Sequence, residues 1–508
     1  MKSFKFLILV WGWALPEMLL AQDLGDLWWY GRPDLAVTAR AAGMAGANGS
    51  LTGDYGAVLV NPAALGGLRK AALSATLGGR VDRLQNTFLG NETVSGSFRM
   101  PLQDISLMLP YRQSLGAWKQ VFGFGYSQNR GFAERLEYSG YNAYSTLLWD
   151  MAEEVNRTGY LDDTYTGPAY DAYLIGPTDT TPGASFGTVL PGAHVEQKEL
   201  RERSGRQSEL TFHWAANHDN LVQLGLSVGV RTLNHQWRSS YQEVDRRDST
   251  PEFESFEYIR KLEVSGSGLF FRLGVQAQPL AWLRLGLAFS SRGRTALTER
   301  YQTLMVANFV DTANILYTLK GYSPDPDTLT PFVWTYKGSN RTTLSASVFW
   351  GRSGLLSVDY DLMGYRGMGV GAPLNEGDID PTVPDWGKDL NREARETFRL
   401  GHQVRMGTEW VQGPAVYRMG YAWSSSPYKS ELIDPAWNQS RRQFSVGFGR
   451  RFGPLMLDFA AVWQGSSMSE QVYPVQEAYL LDTKDQPVLR STQQSYRFVA
   501  GVQYRFGT

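Results

Sequence analysis

Apolar and polar residues alternate with period two through much of the chain beyond residue 200. Leu283, Leu285, Leu287 and Phe289 are interleaved with Arg284, Gly286, Ala288 and Ser290. Val222, Leu224, Leu226, Val228 and Val230 are interleaved with Gln223, Gly225, Ser227, Gly229 and Arg231. Leu356, Val358, Tyr360 and Leu362 oppose Ser357, Asp359 and Asp361, while Leu455, Leu457, Phe459, Ala461 and Trp463 oppose Asp458 and Ala460. Successive side chains of a strand point to opposite faces, so each run predicts a strand with one apolar and one polar face.

The connections between runs come in two lengths. Short turns are predicted near 112–116, 217–220, 279–282, 351–354, 411–414 and 452–454. Longer polar stretches span about 80–98, 129–204, 244–256, 303–339, 365–394, 426–439 and 467–489. Short and long alternate strictly, as in barrels whose turns and loops lie on opposite sides of a membrane. Fourteen strands result: 68–79, 99–111, 117–128, 205–217, 221–243, 257–278, 282–302, 340–351, 354–364, 395–411, 415–425, 440–452, 455–466 and 490–507. An even number returns the chain to its starting side, so the sheet can close and lose its edges. The predicted fold is an all-β, 14-stranded antiparallel transmembrane β-barrel. Arg231, Arg284, Asp359, Asp361, Arg399, Arg405, Glu409, Arg418, Asp458 and Arg505 fall on its inner face, where they are expected to pair with one another.

Composition narrows the class. The 508 residues include 49 Lys+Arg and 50 Asp+Glu, so no basic field is offered to a nucleic acid. The chain has no Cys, which excludes disulfides and Cys-bound metal centres. A mean hydropathy of −0.31 argues against a helical membrane protein. Lys2 and Lys5 precede an apolar stretch from Phe6 to Leu15 that is too short to span a bilayer, which predicts a signal peptide over 1–21 with cleavage after Ala21. Residues 22–67 are not strand-like and suit a plug inside the lumen of a barrel formed by 68–508. The last strand carries Phe498, Val502, Tyr504 and Phe506, similar to the terminal signal that the barrel assembly machinery recognises in outer-membrane proteins.

One stretch is more specific. Ala39-Arg40-Ala41-Ala42-Gly43-Met44-Ala45-Gly46-Ala47 is followed by Asp54 and then by Asn61-Pro62-Ala63, just ahead of the first strand. This run resembles the N-terminal hatch of the FadL/TodX family of outer-membrane transporters for hydrophobic compounds. The resemblance implies a fourteen-stranded barrel in the outer membrane of a Gram-negative bacterium, plugged by the hatch. It implies passive uptake of long-chain fatty acids or aromatic hydrocarbons, without enzymatic activity or cofactor. Ligand would be captured among the loops, passed on by a hatch shift, and released sideways beside a kinked third strand. Gly123 and Gly125 are the candidates for that kink, since Gly in a strand marks bends. The loops 129–204 and 303–339 are the longest. In the first, Tyr144, Leu147, Leu148, Met151 and Val155 recur at helical spacing; in the second, Met305, Phe309, Ala313, Leu316 and Tyr317 do so. Both stretches predict amphipathic helices, either a lid on the barrel rim or a capture groove for a hydrophobic small molecule. A monomer in contact with outer-membrane lipid is expected. The alternative is a barrel of the same family serving as a protein-binding or secretion-associated scaffold. The histidines lack metal-ligand spacing, and no nucleophile or nucleotide motif is present. Asp325, Asp327, Asp378, Asp380, Asp385 and Asp389 supply oxygen ligands of the kind Ca²⁺ takes, but the plainer reading is solvated acidic loops.

Overall fold

The structure, a computed structural model, describes residues 24–32, 36–111, 116–247, 250–311, 315–323, 331–371, 386–429, 438–474 and 487–506. The signal peptide of 1–21 lies outside the described residues, as do all the acidic loop positions except Asp389.

The N-terminal segment holds three short helices, α1 (Leu24–Gly31), α2 (Ala39–Gly43) and α3 (Tyr55–Val60), and a 3-10 turn over Pro62–Gly67. The wall then begins with β1 (Ala71–Phe88), which turns at Leu89 and Gly90, both with positive φ. β2 (Asn91–Arg99) and β3 (Leu102–Pro110) make the second stave; β4 (Trp118–Gly131) and β5 (Glu134–Asn142) make the third. A cap follows, built from α4 (Leu147–Thr158), α5 (Thr166–Asp171) and the small pair β6 (Ile175–Pro177) and β7 (Phe186–Thr188). Three tall strands come next: β8 (Val195–His218), β9 (Val222–Val244) and β10 (Phe253–Leu280). β11 (Leu283–Ser290) and β12 (Arg294–Val310) form the seventh stave, and β13 (Leu316–Ser323) folds back on β12. β14 (Phe332–Lys337) and β15 (Arg341–Phe349) form the eighth; β16 (Gly354–Met363), followed by β17 (Gly369–Gly371), forms the ninth. After α6 (Trp386–Thr397) come β18 (Gly401–Gln412), β19 (Ala415–Ser424), β20 (Asn438–Phe452), β21 (Leu455–Gln471) and β22 (Val488–Phe506).

Neighbouring staves are antiparallel, and β22 pairs with β1 from Ala71↔Phe506 to Phe88↔Leu489, so the fourteen staves close into a barrel. Outward residues on the lower halves are apolar and exposed, among them Leu73, Leu77, Leu210, Phe212, Leu269, Phe271, Leu273 and Val275. On β8 the outward row changes from Lys198, Glu202 and Arg206 to Leu210 and Phe212. An apolar band bounded by polar rows is the surface a barrel presents to lipid.

Two expectations change. Residues 303–310 and 316–323 form a β-hairpin, where a helix was predicted: Met305, Ala307 and Phe309 are buried at every second position. Alternating burial against a cap outweighs the three-to-four spacing of the larger apolar residues. Conversely, the tenth stave starts at Gly401, because 386–397 is helical. Leu390, Ala394 and Phe398, four apart, all turn into one apolar cluster.

Candidate functional site

The lower lumen is filled by the N-terminal segment, and the polar inner face of the wall binds that segment's main chain. Asp359 accepts from the Asn48 and Gly49 amides at 3.0 and 2.9 Å. Arg405 donates to the Gly46 carbonyl at 2.8 Å and to Asp361 at 3.0 Å. Arg40 reaches Glu409 at 3.0 Å, and Arg418 bridges Glu409 and Asp458 at 2.7 and 2.6 Å. Most of the inward charges read from the alternation thus pair across strands and with the hatch, whereas Arg284, Arg399 and Arg505 donate to neutral oxygens. Asn61 caps the 3-10 turn through the Ala63 amide at 3.1 Å, while its Nδ2 donates to the Gly49 and Val275 carbonyls. Pro62 and Ala63 press on the wall at Gly225: a Cβ there would fall 2.2 Å from the Pro62 carbonyl carbon. Glycine is the residue that permits this approach.

Gly123 and Gly125 have the same use. Leu65 and His213 lie against the first, and the Tyr55 hydroxyl fills the space of a side chain at the second. Backbone pairing is regular at both. The irregularity of the third stave sits above them, where the register with β8 shifts between Gln128 and Arg130. On the second stave the matching break falls between Thr76 and Leu77 of β1, opposite Leu102–Asp104 and just after Pro101. Pro has no amide hydrogen to give a ladder, so it marks strand ends. The β3–β4 ladder stops at Asp104↔Ser127, and above it β2 pairs with β1 alone while β5 pairs with β8 alone. The two strands touch through side chains: Ser95 and Thr93 of β2 donate to the Arg135 and Glu137 carbonyls at 2.7 and 2.5 Å, and Asn86 of β1 joins them at the latter at 2.9 Å. This seam has no backbone ladder among the described residues. Buried polar atoms without a hydrogen-bond partner collect behind it, on Ser97, Arg99, Gln103 and Asn129. Such groups ordinarily pair with protein, water or ligand.

Inside the seam lies an aromatic chamber, packed full by α1, that the sequence reading missed. Leu27, Trp28 and Tyr30 of α1 are buried among Phe132, Leu233, Leu262, Trp334, Tyr336, Tyr365 and Phe398. Trp28 meets Tyr365 edge-on at 5.2 Å, and Tyr30 meets Phe132 at 6.0 Å. Phe132 joins β4 to β5, which places the chamber directly against the seam. Tyr30 also hydrogen-bonds His235 Nδ1 at 3.0 Å. Burying each large apolar side chain contributes about 1.5–3 kcal/mol. The adjacent Trp28, Trp29 and Tyr30, so soon after the predicted cleavage point, were the available signal.

The cap closes the top. Leu147, Leu148, Met151 and Val155 face one buried cluster with Phe309, Tyr241, Phe256 and Tyr258, whereas Tyr144 and Leu316 stay exposed. Helix α4 is held at its N-terminus by Glu243, which accepts from the Leu147 amide at 2.9 Å, the Tyr241 hydroxyl at 2.7 Å, Gln197 at 2.9 Å and the Thr146 hydroxyl. A carboxylate suits that end of a helix. Burial pushes the Tyr165 phenol well above its usual range, and Asp150 beside it adds to the shift, so Tyr165 remains a donor to Asp150. Among the described residues no cluster of metal-ligating side chains occurs.

No protein-family model matches the chain, and no curated protein matches it. Solved structures do. A Pseudomonas aeruginosa FadL homologue aligns over 94% of this chain and 100% of its own, at 14% identity and a TM-score of 0.53. The P. putida toluene transporter TodX aligns over 94% of this chain and 99% of its own, at 10% identity and a TM-score of 0.49. At such identity the first of these establishes a shared fold.

Proposed function

We propose that this chain, built on the fold of that FadL homologue, is a passive outer-membrane transporter of the FadL/TodX kind that takes up hydrophobic small molecules. The observation that carries the proposal is the aromatic chamber lying between a plugged bore and an unladdered seam. An apolar solute has no path through the lower lumen, where charged side chains and the hatch leave no room. It has one sideways, through a wall held at that level by side chains, whose lower end meets the exposed apolar band at Val81 and Phe98. In this reading α1 occupies the place of the ligand, with Trp28 and Tyr30 as its stand-ins. Entry of a solute displaces α1, and release follows through the seam, driven only by the difference in affinity between successive sites. The cap regulates entry from outside: its apolar residues, Leu147, Leu148, Met151, Val155 and Phe309, become a capture surface when it lifts. The hatch motif Asn61-Pro62-Ala63 ties the plug to the wall and couples the two ends of the route.

The chain's lack of Cys allows a direct test. Ser95→Cys and Leu136→Cys, bridged by a short thiol-specific linker, would staple β2 to β5. Uptake of a labelled apolar solute by cells carrying the stapled barrel is expected to fall at least tenfold and to recover when a cleavable linker is reduced. Undiminished uptake with the staple in place would show that the solute does not pass the seam.

A further inference from the structure

On the side of the barrel away from the seam, the outer wall carries a patch of positive charge that transport does not use. Backbone register sets Arg294 of β12 directly opposite Lys337 of β14. Arg294 is also opposite Leu269 of β10, which is 73% exposed and is the last apolar residue of that strand's outward row before Ser267 and Ser265. Residues paired in register share a face, so both cations point outward, at the upper edge of the apolar band. The alternate residues Thr295, Leu297, Trp334 and Tyr336 are buried, as that orientation requires. Two more cations adjoin them. The Arg292 guanidinium lies against Gly367, where a Cβ would fall 2.5 Å from its Cζ, and Arg366 beside that glycine is exposed. A backbone hydrogen bond from Gly338 to Gly293 ties the two stretches together. Like charges directly opposite across strands are destabilising. Yet none of the four cations has an ion pair among the described residues. On β10 the first outward carboxylate is Glu263, three positions up the row from Leu269, and it faces Arg300. The patch is also local: just above the band, the outward rows of β9 and β10 carry Thr232, Asn234, Ser267 and Ser265. Below it, Leu269, Leu287, Phe289 and Leu344 are exposed on β10, β11 and β15.

Cations clustered at a membrane boundary recruit anionic headgroups. Guanidinium forks hold a phosphate in two-point contact, and an ammonium adds a point charge. An occupant of this patch must present acid oxygens to the cations and hydrocarbon to the row beneath them, which a soluble polyanion does not. We propose that Arg292, Arg294, Lys337 and Arg366 bind the phosphorylated headgroup of an outer-leaflet lipid, whose acyl chains lie down the wall on Leu269, Leu287, Phe289 and Leu344. The site lies outside the lumen. It holds a lipid of the surrounding membrane, not a transported molecule, and it stands whether or not solutes pass the seam.

The test is native mass spectrometry of the full-length barrel in uncharged detergent, titrated with diphosphoryl lipid A and with the same lipid stripped of its phosphates. The phosphorylated form is expected to bind about tenfold or more tightly, as several charge-assisted contacts imply. Arg294→Gln with Lys337→Gln should remove that preference and leave binding of the stripped lipid unchanged, which also shows that the variant is folded. Arg83→Gln with Arg442→Gln, which removes exposed outward cations elsewhere on the wall, should leave the preference intact. Equal binding of the two lipids to the unaltered protein would overturn the site. So would a preference that survives the first pair of substitutions, or one that the second pair abolishes equally. Displacement of the phosphorylated lipid by millimolar inorganic phosphate at constant ionic strength would assign the cations to a free anion and overturn the lipid as occupant.

Discussion

Glu243 shows how a single buried carboxylate fixes a whole extracellular segment. Four donors converge on it: the Leu147 amide, the Thr146 and Tyr241 hydroxyls and the Gln197 amide group. Glu243→Gln would remove the charge and replace one accepting oxygen by an N–H₂, from which the Leu147 amide and the Gln197 N–H₂ cannot accept and only the two hydroxyls can. Hydrogen bonds to charged groups contribute about 1.5–3 kcal/mol each, and an unsatisfied buried donor costs a similar amount. The cap is therefore expected to loosen by about 2 kcal/mol, seen as roughly thirtyfold faster hydrogen exchange in α4 with the barrel amides unchanged. Exchange no faster than in the unaltered protein would show that apolar contacts alone hold the helix down.

At the scale of elements, α1 and the hatch differ in what they ask of the wall. The hatch is held largely through its main chain, which donates to Asp359 and accepts from Arg405, Gln276 and Asn217, with Arg40 and Asn61 adding side-chain contacts to the wall. Helix α1 is held by side chains, chiefly Leu27, Trp28 and Tyr30. Removing those contacts should vacate the chamber without disturbing the plug. Trp28→Ala with Tyr30→Ala is expected to raise affinity for an apolar probe several-fold in equilibrium binding, because the probe no longer competes with the chain's own residues. Lower affinity would mean that these aromatics line the ligand site and do not fill it. The barrel was legible because period two survives wherever one face meets lipid: the staves at Leu283–Ser290 and Val222–Val230 stand as the alternation placed them. The inward charges were legible by the same rule. The hairpin of β12 and β13 and the helix α6 were not, because their burial comes from neighbours far away in sequence. The seam left one local trace, Pro101, and the outer cation patch none, since Arg294 and Lys337 become adjacent only through register.

For the whole molecule, closure and filling decide what can pass. The ladder from Ala71↔Phe506 to Phe88↔Leu489 leaves no edge, and the N-terminal segment occupies the bore. In planar bilayers the intact protein should carry almost no current, whereas deletion of 36–67 should give stable channels; porin-like conductance from the intact chain would contradict a plugged bore. The wall is also uneven in height. β10 has 28 residues and β19 has 10. At about 3.3 Å per residue and a tilt near 40°, β10 rises roughly 70 Å, against an apolar band of about 25 Å. The entrance under the cap therefore stands some tens of ångströms clear of the bilayer, level with the outer reaches of a surface polysaccharide coat. On the route proposed above, a greasy molecule would be taken in beyond that sugar layer and set down below it, so the benefit to the cell would grow with the thickness of its own coat and disappear where the coat is stripped away.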